Sequence, residues 1–123
     1  MINKNYIYAV IGASNDKQKY GYKVLKDFKE SKYEVVPINP KEKEILGLKT
    51  YKSILDIDFK IDVVIFVVPP RITERVLKEI KKLKINKVWL QPGSESDKAI
   101  KYCKDNNIEC IHSACVIVNN NKL

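Results

Sequence analysis

The chain has 123 residues, with 23 lysines and arginines against 15 aspartates and glutamates, a formal net charge of +8, and 45% hydrophobic residues. This size and mixture fit one ordinary globular domain over residues 1–123 and argue against disorder. The most apolar run, Val63–Pro70, is too short to cross a bilayer, and the N-terminus lacks the pattern of a secretory signal. We therefore expect a cytoplasmic protein without a membrane span.

The positive charge is almost all lysine, because Arg71 and Arg75 are the only arginines. Lysines spread along a whole chain are typical of a solvated surface, although such a charge also attracts nucleic acids and polyphosphate ligands. The three cysteines, Cys103, Cys110 and Cys115, are an odd number and form no C-x-x-C pair. The sequence therefore supports neither a disulfide framework nor a metal site, and we expect reduced thiols.

The first half of the chain predicts one strand-helix-strand unit followed by a less regular segment. A continuous apolar run, Tyr6–Ile11, indicates a strand that is buried on both faces. From Tyr20 onwards apolar residues recur at helical spacing, and Tyr33–Ile38 then predicts the second strand. Residues 41–47 are interpreted as a polar connection, after which Ser53 is expected to cap a short helical turn.

The second half continues the alternation of strands and helices. Asp62–Val68 is the most apolar strand, and Thr73–Lys84 has the periodicity of an amphipathic helix. Lys87–Gln91 predicts a further strand, and Ser94–Asp97 matches a capping box at the start of another helix. Ile108–Ile111 predicts the last strand. The pattern indicates an α/β fold with a doubly wound parallel sheet in three layers.

In a doubly wound sheet, ligands bind beyond the carboxyl ends of the strands, near the point where the strand order reverses. Glycines and prolines follow each of the predicted strands there, and they let the backbone approach a ligand or fix a sharp turn. The four segments are Gly12-Ala13-Ser14, Asn39-Pro40-Lys41, Pro69-Pro70-Arg71 and Gln91-Pro92-Gly93. We predict that these segments meet and form a binding site.

The loop after the first strand is a candidate phosphate-binding loop. A strand that runs into Gly12 and then a helix allows backbone N–H groups to hold a diphosphate at the helix N-terminus. The G-x-G-x-x-G fingerprint is absent, since the next glycine is Gly21, and the alternative is that both glycines only permit tight turns. Candidate ligand groups in this longer loop are Ser14, Lys17, Lys19 and Tyr20.

The segment after the second strand separates the candidate ligands. An NAD site of this type normally has an acidic residue near the end of that strand, whereas this chain has Asn39-Pro40-Lys41. Lys41 or Lys43 attracts a phosphorylated ribose, which a carboxylate would repel. Plain NAD is therefore disfavoured, while coenzyme A and NADP both remain candidates.

Four runs resemble the stand-alone CoA-binding domain proteins and the CoA-binding domain of the succinyl-CoA synthetase alpha subunit. They follow the family order and are Ala9–Ser14, Val35–Lys41, Asp62–Pro70 and Val88–Gly93. The resemblance extends from Tyr6 to about Val118 and implies a Rossmann-like domain. It implies that the CoA diphosphate and pantetheine lie near Gly12, Ala13 and Ser14, and the nucleotide end near Asn39, Pro40, Lys41, Val68 and Pro69.

The resemblance also bears on charge and on catalysis. Many stand-alone members have arginines where this chain has Val68 and Ala114, and Arg71 or Lys19 is the expected substitute. The similar synthetases use a phosphorylated histidine on a further domain and a nucleotide-grasp domain, for which we expect no room here. The single histidine, His112, has no evident catalytic partner. No catalytic residue is therefore predicted.

The sequence thus predicts a non-catalytic protein that binds coenzyme A or an acyl-CoA. The alternatives are an NADP-linked reductase and an accessory subunit of an acyl-CoA synthetase. A nucleic-acid-binding domain is disfavoured, because the pattern offers no exposed aromatic and arginine surface for stacking bases. Cys115 matches a cysteine that similar proteins often carry, and a mixed disulfide with the CoA thiol is one hypothesis for it. A partner enzyme and self-association are left open.

Overall fold

The computed structural model describes residues 2–116, which fold into a parallel sheet with helices on both faces. The elements in chain order are β1 (Ile7–Ile11), α1 (Tyr20–Glu30), β2 (Glu34–Ile38), β3 (Glu44–Ile45), β4 (Leu48–Lys49), a 3-10 turn (Ile54–Asp56), β5 (Val63–Phe66), α2 (Pro70–Lys82), β6 (Lys87–Leu90), α3 (Asp97–Asp105) and β7 (Glu109–Ile111). Five of these strands form the main sheet in the order β2-β1-β5-β6-β7, and all of its pairs are parallel. The predicted α/β, Rossmann-like fold is confirmed.

The sheet separates two apolar cores, because successive residues of a strand point to opposite faces. In β1, Tyr8 packs against α1, and its ring lies 4.9 Å from that of Phe28 between centroids. Its neighbour Ala9 belongs to the opposite core, which contains Leu77 of α2 and Ala99 of α3. Burial raises the pKa of the Tyr8 hydroxyl above its usual value. The layers are therefore α1, the sheet, and α2 with α3.

Both helices on the second face begin at residues other than those predicted. α2 starts at Pro70, three residues before the predicted start, because proline fits the first helical position, where its missing N–H needs no partner. In α3 the N-cap is Ser96, whose hydroxyl accepts a hydrogen bond of 3.0 Å from the backbone N–H of Ala99. The predicted capping box from Ser94 is wrong, since the Ser94 hydroxyl instead accepts from the backbone N–H of Val68 at 3.0 Å.

Residues 41–47 are not a plain connection, because they contain half of a small antiparallel hairpin. β3 pairs with β4, so that Ile45 lies opposite Leu48, and the Ile45 side chain is fully buried against the α1 core. The chain then forms a parallel bridge between Ile38 and Tyr51, and the predicted cap is confirmed, with the Ser53 hydroxyl accepting from a backbone N–H. This path brings the start of the 3-10 turn beside the end of β2.

None of the helices within residues 2–116 has both the length and the apolar character needed to span a membrane.

Candidate functional site

The carboxyl ends of the central strands form one continuous rim. Just beyond β1, the backbone N–H of Gly12 donates to the carbonyl of Ile38 at 3.2 Å. On the other side of β1, the N–H of Val67 donates to the carbonyl of Ile11 at 2.9 Å, and Gln91 continues the rim after β6. The four predicted segments therefore follow strands that are direct neighbours, and the strand order reverses at β1.

The loop between β1 and α1 is packed tightly around its two glycines. Gly12 has a φ of +92°, and a Cβ atom placed there would lie 2.2 Å from the carbonyl oxygen of Val67. A Cβ atom on Gly21 would lie 1.9 Å from the carbonyl oxygen of Gly12. Both glycines are therefore required by close backbone packing, which brings the N-terminus of α1 directly against the rim.

Asn39 joins the loops that follow β1 and β2. Its side-chain N–H donates to the carbonyl of Ala13 at 2.8 Å, and its side-chain oxygen accepts from the backbone N–H of Lys41 at 2.7 Å. Its own backbone N–H donates to the carbonyl of Tyr51 at 2.9 Å. Asn39 therefore holds the rim in shape and orients the backbone at Lys41.

A cavity of about 400 Å³ opens on the α2 side of the rim. Its apolar wall comes from strand ends and from α2, and includes Ile11, Ile38, Val68 and Ile72. Its polar groups are Lys52, Ser53, Arg75 and Glu79. A volume in the range of about 300–1,000 Å³ with mostly apolar walls and a few polar groups is typical of small-molecule sites. This cavity can hold a flat apolar ring, with cationic groups available for an attached anion.

A smaller cavity of about 110 Å³ lies on the α1 side of the same rim. It is lined by Tyr20, Val67, Gln91, Pro92 and Cys115. Val67 lines this cavity and packs against the α1 core, whereas its direct neighbour Val68 lines the larger cavity and packs against the opposite core. The two cavities are therefore separated only by the backbone around Gly12 and the end of β5.

Gln91 is 2% exposed and organises the chain that closes the smaller cavity. Its side-chain oxygen accepts from the backbone N–H of Val116 at 2.8 Å, and its side-chain N–H donates to the Cys115 sulfur at 3.3 Å. The indole N–H of Trp89 adds a hydrogen bond of 2.8 Å to the carbonyl of Ala114. These contacts hold the Cys115 thiol at the cavity wall, while the residue stays exposed to solvent.

The other two cysteines lie between α3 and β7. Cys103 is buried, Cys110 is half-buried, and both are free thiols. A hydrogen bond with Cys110, together with burial, raises the pKa of the Cys103 thiol above its usual value. The same hydrogen bond lowers the pKa of the Cys110 thiol. Across the described part of the chain, no group of three or more histidine, cysteine, aspartate or glutamate residues is arranged to hold a metal ion.

The structure distributes the residues predicted from the sequence over several places. Gly12, Pro40 and Val68 line the larger cavity, and Tyr20, Gln91 and Pro92 line the smaller one. Arg71 lies apart from both, in a cleft between α2 and α3. The others line neither cavity: Ala13, Ser14, Lys17, Lys19, Gly21, Asn39, Lys41, Pro69, Pro70 and Gly93.

Sequence reasoning missed the cationic groups of the larger cavity, Lys52 and Arg75. Lys52 follows the bridge between Ile38 and Tyr51, a contact that no local pattern encodes. Arg75 lies on α2, within the predicted helix Thr73–Lys84, but helical spacing alone does not show that its side chain borders a cavity at the rim. Neither Arg71 nor Lys19 lines this cavity, so their contribution to ligand charge stays a prediction, while Arg75 and Lys52 bring positive charge to the cavity itself.

Comparison with known proteins decides the family. Residues 7–121 match the family model described as a CoA binding domain. The chain belongs to this family. It is 45% identical over 74 residues to the ADP-forming acetate–CoA ligase of Methanocaldococcus jannaschii, a match that covers 60% of this chain and 10% of that ligase. It is 46% identical over 72 residues to the alpha subunit of ADP-forming acetate–CoA ligase II of Pyrococcus furiosus, covering 58% of this chain and 16% of that subunit.

The CoA-binding domain has relatives of its own size among solved structures. A conserved hypothetical protein from Pyrococcus furiosus superimposes with a TM-score of 0.88 and 36% sequence identity, covering 94% of this chain and 99% of that one. The ligases above are much longer, and the matched part is only 10% and 16% of their lengths. The chain therefore shares one domain with those enzymes and nearly its whole fold with the small protein.

Proposed function

We propose that this protein binds coenzyme A or an acyl-CoA across the rim of its sheet, without itself catalysing a reaction. The observation that carries the proposal is the pair of cavities on opposite sides of Gly12, one about 400 Å³ and the other about 110 Å³. Coenzyme A has a bulky phosphorylated nucleotide at one end and a narrow pantetheine thiol arm at the other. The bulky nucleotide end matches the larger cavity in size, and the narrow thiol arm matches the smaller one.

The larger cavity suits the adenosine end. Ile38, Val68 and Ile72 offer apolar surface to the base, which gains free energy when it leaves water. Lys52 and Arg75 bring positive charge to the same cavity, and Lys41 follows its wall residue Pro40. Such groups form strong charge-assisted hydrogen bonds with phosphate oxygens. This arrangement favours a nucleotide with a phosphorylated ribose, as the sequence of the segment after β2 also does.

The diphosphate and the pantetheine arm then run along the rim. The N-terminus of α1 lies against Gly12, and backbone N–H groups at a helix N-terminus attract anions. Lys17 and Lys19 are exposed in the same loop and add to this attraction. The arm crosses from the Val68 side to the Val67 side and ends beside Cys115.

Thermal unfolding with a panel of ligands tests the proposal. A ligand that binds only the folded chain raises the midpoint. We expect the largest increase with CoA or acetyl-CoA, a smaller one with dephospho-CoA, and smaller still with NAD. An equal or larger increase with NADP would favour the reductase alternative, and no increase with any CoA compound would contradict the proposal.

Cys115 gives a second, independent prediction. If the pantetheine arm ends in the smaller cavity, saturating acetyl-CoA, which has no free thiol to consume the reagent, should slow alkylation of Cys115 by iodoacetamide about fivefold or more, because the thiolate must be accessible to react. The rate would be read by mass spectrometry of the peptides. Cys110, half-buried between α3 and β7, is the internal control and should react at an unchanged rate. Unchanged alkylation of Cys115 at saturation would place the arm elsewhere.

A role as the CoA-binding accessory component of an acyl-CoA synthetase is the second candidate. It is supported by the similarity to the alpha subunit of an ADP-forming acetate–CoA ligase. In this role the protein would act with a partner enzyme that supplies the catalytic groups. A cytoplasmic location fits both candidates, because an exposed thiol such as Cys115 stays reduced in that compartment.

A further inference from the structure

A third concave surface lies between α2 and α3, on the outer side of the domain. This cleft has a volume of about 230 Å³ and is distinct from the two rim cavities, although Arg75 borders both it and the larger one. Arg71, Arg75 and Lys78 come from α2, where their spacing places them on one helix face. Lys98 and the half-buried Tyr102 come from α3. Four cationic side chains therefore converge on one small cleft.

The choice of arginine at this cleft is informative. The chain has 23 cationic residues, and Arg71 and Arg75 are its only arginines. Lysine therefore serves as the cation everywhere else on the surface, including at the other exposed positions of α2. Arginine differs from lysine by its planar fork, which binds a carboxylate or phosphate through two parallel hydrogen bonds. Within residues 2–116, neither guanidinium takes part in an ion pair.

The acidic residue of the cleft does not neutralise it. The Glu74 carboxylate accepts a hydrogen bond of 2.6 Å from the hydroxyl of Ser96, which caps α3. Glu74 therefore joins the two helices and lies between them, half-buried. Asp97 is exposed in the first turn of α3, next to Lys98. Cations still outnumber carboxylates among the residues that line the cleft, and their charge faces solvent.

We propose that this cleft docks an acidic segment of a partner polypeptide, whose carboxylates bind Arg71 and Arg75, with Lys78 and Lys98 at the edges. A protein partner is favoured over a nucleic acid, because the half-buried Tyr102 is the only aromatic residue that lines the cleft, which therefore offers no platform for stacked bases. In the two ligases the matched region makes up 10% and 16% of the chain, so the equivalent domain there is joined to much more polypeptide. Arg71, Lys78 and Lys98 line neither rim cavity, so docking through them does not depend on CoA binding.

Binding of a fluorescein-labelled octaglutamate peptide, followed by fluorescence anisotropy, tests the proposal. The salt concentration should be about 0.15 M, so that long-range attraction by the net charge is screened beyond about 8 Å. The double variant K78Q/K98Q should weaken binding about five- to tenfold, since it removes two cations from the cleft. Arg71→Lys should weaken binding about threefold, although the charge is kept, because the two-pronged contact is lost.

The chain offers a closely matched control. K84Q/K104Q removes the same charge from exposed positions just after the end of α2 and in the last turn of α3, and neither lysine lines the cleft. This variant should bind octaglutamate within about twofold of the unmodified protein, because neither lysine lines the cleft and salt screens their longer-range attraction. Lys78 and Lys98 line neither rim cavity, so K78Q/K98Q should also keep its affinity for CoA, which verifies its fold.

The possible results distinguish binding at the cleft from attraction by the overall charge of the protein. Equal weakening in the two double variants would overturn the proposal, because overall charge would then account for the attraction. Absence of octaglutamate binding to the unmodified protein would also overturn it. An octathymidylate that binds more tightly than octaglutamate, with the same dependence on Lys78 and Lys98, would assign the cleft to nucleic acid. Failure of CoA to bind any of these proteins would contradict the proposed function and leave the octaglutamate result to be judged by itself.

Discussion

Replacing Gly12 with alanine should lower the free energy of unfolding by about 3 kcal/mol or more. Two separate effects destabilise the folded state at this position. The backbone has a φ of +92°, which a residue with a Cβ atom adopts only under strain, and that Cβ would lie 2.2 Å from the carbonyl oxygen of Val67. The backbone of β1 and the end of β5 must therefore separate. Urea unfolding followed by circular dichroism would measure the loss.

Gly93 provides the control that separates the two effects. Its φ is +95°, almost the same as that of Gly12, but a Cβ atom there would have no heavy atom within 4 Å. Gly93→Ala should therefore cost only the conformational strain, about 1 kcal/mol. Gly12→Ala should in addition weaken CoA binding, because the displaced rim lies between the two cavities. Equal losses of stability in the two variants would contradict the close packing at Gly12.

Replacing Lys41 with alanine should weaken CoA binding about tenfold, which corresponds to about 1.4 kcal/mol. The side chain is exposed next to the larger cavity, and we propose that it contacts the phosphate on the ribose of CoA. Dephospho-CoA lacks this phosphate, so its affinity should change much less. Isothermal titration calorimetry with both ligands would measure the difference.

Two further variants make the Lys41 result specific. Lys104→Ala removes an exposed lysine from the last turn of α3 and should leave both affinities unchanged. Lys52→Ala removes a cation that lines the larger cavity itself. If Lys52→Ala weakens CoA more than dephospho-CoA while Lys41→Ala does not, the ribose phosphate is bound by Lys52. Similar losses for both ligands in Lys41→Ala would mean that Lys41 acts only through general charge.

The sheet was predictable because its central strands, β1 and β5, are buried on both faces. Runs such as Tyr6–Ile11 and Val63–Val68 have no charged positions for a solvent face, and this pattern is typical of central parallel strands. The rim followed from the same reasoning, since the residue after each strand must lie at one edge. The structure of residues 44–49 was harder to predict. Their hairpin has strands of only two residues, and its stability comes from tertiary burial of Ile45, which no periodicity records.

The candidate site was only partly predictable for a related reason. Gly12, Pro40 and Val68 are adjacent to strand ends in the chain, so their place at the larger cavity could be inferred from topology. Lys52 lies at this cavity because of the bridge between Ile38 and Tyr51, and Arg75 lies there because of the way in which α2 packs on the sheet. Neither placement can be deduced from local sequence. Ligand binding by Asn39 stays a prediction, but its side chain also has a structural role that the sequence does not show, since it is hydrogen-bonded to Ala13 and Lys41.

Because the adjacent residues Val67 and Val68 line different cavities, each half of the proposed cofactor would have its own cavity, and the halves would not compete. Adenosine 3′,5′-bisphosphate and free pantetheine could then occupy the protein together. Each fragment alone would bind weakly, and the intact molecule would gain from their covalent linkage, since the second half arrives at a high effective concentration once the first is bound. Recognition of this kind tolerates variation at the tip of the acyl chain while it still demands both ends of the carrier.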